Sequence, residues 1–308
     1  MSKVLIAVIG PTAIGKTKRA ISLANHFNTE ILSADSRQFY KEMRVGTAVP
    51  STEELSQAKH HFIQHISIFD TYTVGDYEKD ALNTLKSQFL HNDIQILVGG
   101  SGLFVDSVLY GLDAFPKIPI QVRDDLNTLF KEHGITVLQE QLKIKDPNYY
   151  SKVDLENPHR LIRALEVCIA SGQPYSSFLN SKRNNREFEF ILVGIQADRD
   201  IIYDRINRRV DFMIDQGLVE EARELHTYKN LNALNTVGYK ELFRFFEGEY
   251  SLDEATEEIK KNTRRFAKRQ LTWYRKNPEV LWLNHNMSDQ SFIDAVQEKL
   301  NKVRHAKK

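Results

Sequence analysis

Gly10-Pro11-Thr12-Ala13-Ile14-Gly15-Lys16-Thr17 satisfies G-x-x-x-x-G-K-[ST]. It stands between a short continuous apolar run, VLIAVI over Val4 to Ile9, and TKRAISLANHF, which has helical spacing. That order of buried strand, glycine loop and helix is the context the pattern requires. The glycines let the backbone fold back so that its N–H groups point inward, and the helix starting near Lys16 adds its positive end. All eight residues are therefore candidate ligands of a phosphorylated molecule. Lys16 supplies a point charge, and the Thr17 hydroxyl is the candidate Mg²⁺ ligand.

The rest of the chain repeats the strand–helix theme. EILSADS, IQILVGGSG, FEFILVGIQ (Phe188 to Gln196) and EVLWL (Glu279 to Leu283) look like further strands separated by helical segments. This predicts an α/β fold with a mostly parallel sheet. Ligands of such sheets bind beyond the carboxyl ends of the strands, where Gly10, Asp35 and Gly99 would all lie. Between FPKIPIQ and SKRNNREF the pattern becomes purely helical. Residues 117–187 read as a helical insertion domain, hinged at Pro116 and Pro119 and at the Asn-rich turn. Residues 1–116 and 188–308 then form the core domain, ending in a helical C-terminal segment that starts at the capping box SLDE, Ser251 to Glu254.

Lys and Arg total 42 against 41 Asp and Glu, so an overall basic protein is excluded but a locally basic face is not. The single cysteine, Cys168, lies in an apolar run and reads as a core residue of a reducing compartment. No apolar run is long enough to span a membrane, and the N-terminus lacks a signal-peptide pattern. A cytoplasmic protein, with no membrane partner and monomeric, is the expectation.

Three further features bear on chemistry. Asp35 falls just past the second strand, where a carboxylate can bind metal through water or accept a proton from a nucleophile. P-loop ATPases and GTPases carry an Asp at the end of a hydrophobic strand, whereas IQILVGGSGLF ends in Gly99, Gly100, Ser101 and Gly102. Glycines allow something bulky to approach the backbone, which suggests a transferase with its second substrate against that loop. Finally, Lys260 to Lys276 holds eight positive residues and no negative one. Lys261, Arg264, Arg265, Lys268, Thr272, Arg275 and Lys276 recur at helical spacing, while Phe266 and Trp273 can share an inward face. Such a stripe suits a polyanion, and nearby aromatics suit stacked bases. His61 and His65, in what reads as a strand, do not share a helical face; with His60 they read as turn or surface residues. A nucleotide kinase would explain the loop and Asp35 but not the basic helix. An ATP-gated RNA-binding module would explain loop and helix but leave Asp35 idle. Transfer to a free adenine nucleotide would leave the basic surface unused.

GPTAIGKT, SADSRQFYKEMRVGTAVP, GGSGLF, NPHRLIRALEV, RVDFMIDQGLVEEARELH, VGYKEL and TRRFAKRQLTWYRK occur in the order seen in tRNA dimethylallyltransferases, which this chain resembles from about Lys3 to Leu283. Two departures are Ile14 where Ser is usual and GGSGLF where GGTGLY is usual. The resemblance implies a P-loop NTPase-like core. It also implies transfer of a dimethylallyl group from its diphosphate to the exocyclic amine of the adenosine just 3′ of the anticodon. It implies that Asp35 is the base, and that Lys16, Arg209 and Mg²⁺ on Thr17 stabilise the leaving diphosphate. By the same resemblance Asp35, Ser36, Arg37 and Gln38 line the adenine channel, with Ser101 and Arg123 near that path. His159, Arg160 and Arg163, with Lys268, Arg269 and Arg275, would grip the anticodon stem-loop.

Overall fold

The computed structural model describes residues 2–179 and 186–305. The strands β1 (Val4–Ile9), β2 (Ile31–Ser33), β3 (His60–His61), β4 (Ile94–Gly99), β5 (Glu189–Gln196) and β6 (Leu281–Asn284) form one parallel sheet in the order β3-β2-β4-β1-β5-β6. β1 is central and wholly buried. Its alternate side chains feed two cores. Val4, Ile6 and Val8 pack with Leu23, Ile202 and Phe292 on one face, and Leu5, Ala7 and Ile9 with Tyr77, Leu85 and Val105 on the other. A strand buried on both faces must be apolar throughout, which is why VLIAVI shows no alternation.

The helices of this unit are α1 (Lys16–Phe27), α2 (Thr52–Gln57), α3 (Val74–Gln88) and α4 (Gly102–Tyr110) before the insertion. The insertion carries α5 (Ile120–His133), α6 (Ile135–Lys145), α7 (Pro147–Tyr150) and α8 (Pro158–Ser171). After it come α9 (Arg199–Asp215), α10 (Leu218–Leu225), α11 (Tyr239–Phe246), α12 (Leu252–Tyr274) and α13 (Asp289–His305). The contacts divide the chain into Met1–Tyr110 with Arg186–Lys308, and Gly111–Asn185. The second unit is helical, with its own core of Leu126, Leu138, Leu142, Leu161, Ile162 and Leu165, and Cys168 is buried in α8. The sequence had placed its ends at residues 117 and 187. Arg186 belongs to the first unit because its guanidinium donates to the Val108 and Ser107 carbonyls and pairs with Glu78. Most of the Asn-rich turn expected as a hinge lies outside the described residues.

The structure departs from expectation around the histidines. Positive φ at Phe62 and Gln64 ends β3 after two residues. His61 pairs with Glu30 at 2.6 Å. His65 is not a surface residue: it packs edge-on against Phe39, Phe62 and Tyr72, with both ring nitrogens buried and without partners.

Candidate active site

The expected loop forms where β1 ends, and the chain needs left-handed backbone at Ala13 (φ 63°) and Gly15 (φ 101°) to make it. Ile14 turns away from the ligand side into the core, so serine's hydroxyl is not required there. The loop is braced twice. Arg205 on α9 donates through Nε to the Ala13 carbonyl at 2.8 Å, and the Thr12 N–H donates to Oε1 of Gln270 on α12 at 2.9 Å. Not every loop amide points inward, then, because that of Thr12 is already engaged. Lys16 donates to the Pro11 carbonyl at 2.9 Å.

A cavity of about 870 Å³ opens over this loop, lined by Lys16, Thr17, Ser33, Asp35, Arg205 and Arg209. A second, of about 430 Å³, is lined by Ser36, Arg37, Ser101, Asn235, Phe266 and Arg269. Thr12, Asp35, Thr47, Ala48, Arg209 and Met213 wall both, so the two spaces adjoin along a shared wall that carries Asp35 and Arg209. These groups feel one another. Burial pushes the Lys16 ammonium down to about 8; Asp35 acts to raise it and Arg209 to lower it further. Burial likewise lowers Arg209, which Asp35 opposes. The oxygens of Thr17, Ser33 and Asp35 around the first cavity are hard donors, a set that suits Mg²⁺ completed by water and phosphate oxygens.

All four residues expected along the adenine path line these cavities, Asp35 both, Ser36 and Arg37 the second and Gln38 the first. Asp35 also accepts the Arg37 N–H through Oδ1 at 3.2 Å, which fixes its rotamer. The Arg37 and Gln38 side chains are at the same time held by the fold. Arg37 donates to the carbonyls of Asn232, Ala233 and Asn235, and Gln38 donates to those of Thr47 and Ala48. Opposite them, Glu221 accepts the successive N–H groups of Arg44, Val45 and Gly46 and the Tyr239 hydroxyl. That carboxylate moulds the strap 44–48 through contacts about 175 residues apart in the chain, which no local pattern announces.

The basic helix α12 begins at the Ser251–Glu254 capping box. Its inward face is Ala255, Ile259, Ala267, Gln270 and Tyr274, not the aromatics: Phe266 is 40% exposed and Trp273 44%. Trp273 covers Gly102 and donates to Asp106 at 2.8 Å. A methyl at Gly102 would meet the indole at 2.4 Å, and one at Gly100 would meet the Gln270 amide at 2.3 Å. The bulky group approaching these glycines is the chain's own α12 rather than a substrate. Lys260 pairs with Asp211 and Glu257, Lys261 with Glu258, and Arg264 bonds Asn207. Lys268, Arg269 and Arg275 are exposed and, among the described residues, make no ion pair. Arg275 is the C-terminal cap of α12, and Lys276 lies past its end.

In the helical unit, His159 and Arg160 stand exposed on the first turn of α8. Arg123 forms a two-point ion pair with buried Glu166 at 2.6 and 2.8 Å, and Arg163 bonds the same carboxylate while its guanidinium lies over Phe115. Both arginines therefore have an internal structural task. Of the two braces of the loop, Gln270 is the site residue the sequence reading left unmarked, and Arg205 stands out there only as one of a basic cluster with Arg208 and Arg209. A lone amide on an otherwise apolar helical face was the available signal for Gln270.

The sequence description of the IPP transferase family matches residues 38–277. The chain is 58% identical to a tRNA dimethylallyltransferase of Christiangramia forsetii over 301 residues, covering 98% of this chain and all of that one. It is 57% identical to that of Flavobacterium johnsoniae, covering 97% and 98% respectively. Among solved structures, the full-length tRNA isopentenylpyrophosphate transferase of Bacillus halodurans matches with a TM-score of 0.72 at 32% identity, covering 99% of this chain and 100% of that one. A eukaryotic dimethylallyltransferase acting on tRNA shares the fold, with a TM-score of 0.81 at 23% identity, over 97% of this chain and 78% of that one.

Proposed function

The chain belongs to the IPP transferase family of tRNA dimethylallyltransferases, and from that premise we propose the donor, the acceptor atom and the residues that carry its reaction. It transfers a dimethylallyl group to tRNA. The donor is dimethylallyl diphosphate, and the acceptor is the exocyclic amine of the adenosine 3′-adjacent to the anticodon. The observation that carries this reading is the pair of cavities adjoining along the wall that carries Asp35 and Arg209. One has a phosphate loop, and the other is bordered by the exposed end of a basic helix. A donor and an acceptor can each occupy one side and react where they meet.

The diphosphate lies on the loop, held by Lys16, by free backbone N–H groups and by the start of α1. Arg209 faces the same space. As the allylic C–O bond breaks, negative charge grows on the departing oxygen, and preorganised donors stabilise it without having to move. Mg²⁺ held by Thr17 would neutralise part of the charge of the diphosphate. The adenine amine is a weak nucleophile because its lone pair is delocalised into the ring. Asp35 takes its proton as the new C–N bond forms, and diphosphate leaves. The base cannot react while stacked in the anticodon loop, so it is extruded into the second cavity. Ser36 and Ser101 border that cavity. Lys268, Arg269 and Arg275, with His159 and Arg160 of the helical unit, meet the phosphates of the stem-loop. Such contacts set register, while the splayed bases set specificity.

The test is to incubate the protein with Mg²⁺, dimethylallyl diphosphate and bulk tRNA, then digest the tRNA and weigh its nucleosides. Adenosine heavier by one five-carbon group, from the position 3′ of the anticodon only, is expected. Modification elsewhere, or none, refutes the reading.

A further inference from the structure

The reaction described above uses the outward face of α12 and leaves its inward face without a role. That face is apolar apart from the Tyr274 hydroxyl and the amide of Gln270, which is 7% exposed. Oε1 of Gln270 accepts the Thr12 N–H and Nε2 donates to the Gly100 carbonyl, each at 2.9 Å. Its amide thus joins the loop after β1 to the loop after β4. An apolar side chain of the same size would fill the space between helix and sheet equally well. A buried amide is costly unless both ends are satisfied, so this one reads as directed at its two partners rather than as filler. The fit extends to the partner loop, because any side chain at Gly100 would collide with Nε2. The Lys16 ammonium lies 3.4 Å from that same point, so the bridge stands beside the donor's charge.

We propose that Gln270 is a positioning residue for the transfer: it fixes the separation between the diphosphate loop and the Gly100–Ser101 loop that borders the acceptor cavity. The inference rests on the function proposed above. Gln270 lies on the same helix as Lys268 and Arg269, so the element that grips the tRNA also holds the donor loop in place. Transfer between two bound molecules depends on the approach of their reacting atoms, and a misplacement of about 1 Å costs about a hundredfold in rate.

Two variants test it. Gln270→Met keeps the volume and removes both hydrogen bonds. Gln270→Glu keeps the acceptor for Thr12 but loses the donor to Gly100 and brings a negative charge toward the diphosphate. The measurements are kcat, KM for dimethylallyl diphosphate, the dissociation constants of an anticodon stem-loop and of inorganic diphosphate with Mg²⁺, and the melting temperature. Gln270→Met is expected to lower kcat by about ten- to a hundredfold while stem-loop affinity stays within about twofold. Gln270→Glu should also weaken inorganic diphosphate. Turnover within about twofold of wild type in both variants overturns the proposal. So does a loss confined to stem-loop affinity, or a lowered melting temperature with normal turnover per folded molecule. If Gln270→Met does not fold, Gln270→Glu decides alone. A wild-type protein that transfers nothing removes the functional reading instead, and the diphosphate arm still decides: unchanged affinity in Gln270→Glu overturns the role of Gln270.

Discussion

Binding of the donor should take up a proton, and Lys16 should supply the place for it. In the free protein, burial brings the Lys16 ammonium from its ordinary 10.5 to about 8, against the pull of Asp35. A diphosphate set beside it favours the charged form and returns it toward its ordinary value. With a midpoint of about 8, the free ammonium is about 90% protonated at pH 7, half at pH 8 and about 10% at pH 9. Donor binding requires the ammonium, so the dissociation constant should rise about tenfold from pH 7 to pH 9. Net proton uptake should be about 0.1, 0.5 and 0.9 at pH 7, 8 and 9. Calorimetry in buffers of different ionisation enthalpy reads that number directly. The phosphate's own second ionisation, near pH 6, is complete below this window. Lys16→Arg keeps a charge that does not titrate and should flatten the profile. The same shift carries a sign for stability. Unfolded, Lys16 holds its proton up to about 10.5, and folded only to about 8, so the ligand-free protein gains stability as pH rises between these values. No uptake at pH 8, or an equal pH slope in Lys16→Arg, would refute the reasoning.

Asp35→Ala should lower kcat by about a hundredfold or more, the scale of a lost general base, with stem-loop binding intact; normal turnover would remove Asp35 as the base. Lys268→Ala with Arg269→Ala should weaken tRNA and reduce the slope of log affinity against log salt by about 1 to 2, measured by filter binding between low and moderate salt. An unchanged slope takes these two out of the interface. Gly46→Ala puts a methyl 2.5 Å from the buried Tyr239 ring, and overpacking of that kind should cost about 1–3 kcal/mol in urea denaturation. An unshifted midpoint would mean that the strap 44–48 is not clamped.

How much of this was legible in advance depended on whether a feature is local. VLIAVI could be read as a central strand because burial on two faces leaves its mark on every residue. The phosphate loop and the Ser251 cap could be read because each is a contiguous pattern with its own backbone chemistry. β3 could not, since alternation around the histidines is cut short by positive φ at Phe62 and Gln64, which no spacing rule foresees. Phe266 and Trp273 were assigned inward from their sevenfold spacing, which shows only that they share a face. What decides the face is the surface opposite, and here Gly100 comes so close to the helix that a methyl on it would meet the Gln270 amide at 2.3 Å. Glycines read as room for a substrate proved to be room for a helix. Gln38 and Arg37 sit in one of the stretches that carry the resemblance, yet their partners are carbonyls far along the chain or on the strap, contacts that exist only once the sheet has formed.

Long-range contacts also bear on where a nearly neutral chain would hold a polyanion. The basic stripe begins at Lys260 in sequence, but its first half is answered within the fold by Asp211, Glu257 and Glu258. A cation already paired with a carboxylate must give up that partner to meet an RNA phosphate, and so gains less from it. Lys268, Arg269 and Arg275 lie on the C-terminal half of α12, where the helix dipole favours positive charge and, among the described residues, no acidic group pairs with them. That half is also where Gln270 reaches the diphosphate loop and Trp273 covers Gly102. Net charge near zero therefore reflects cancellation at one end of a helix and concentration at the other, beside the two cavities where a negatively charged donor and acceptor would be brought together.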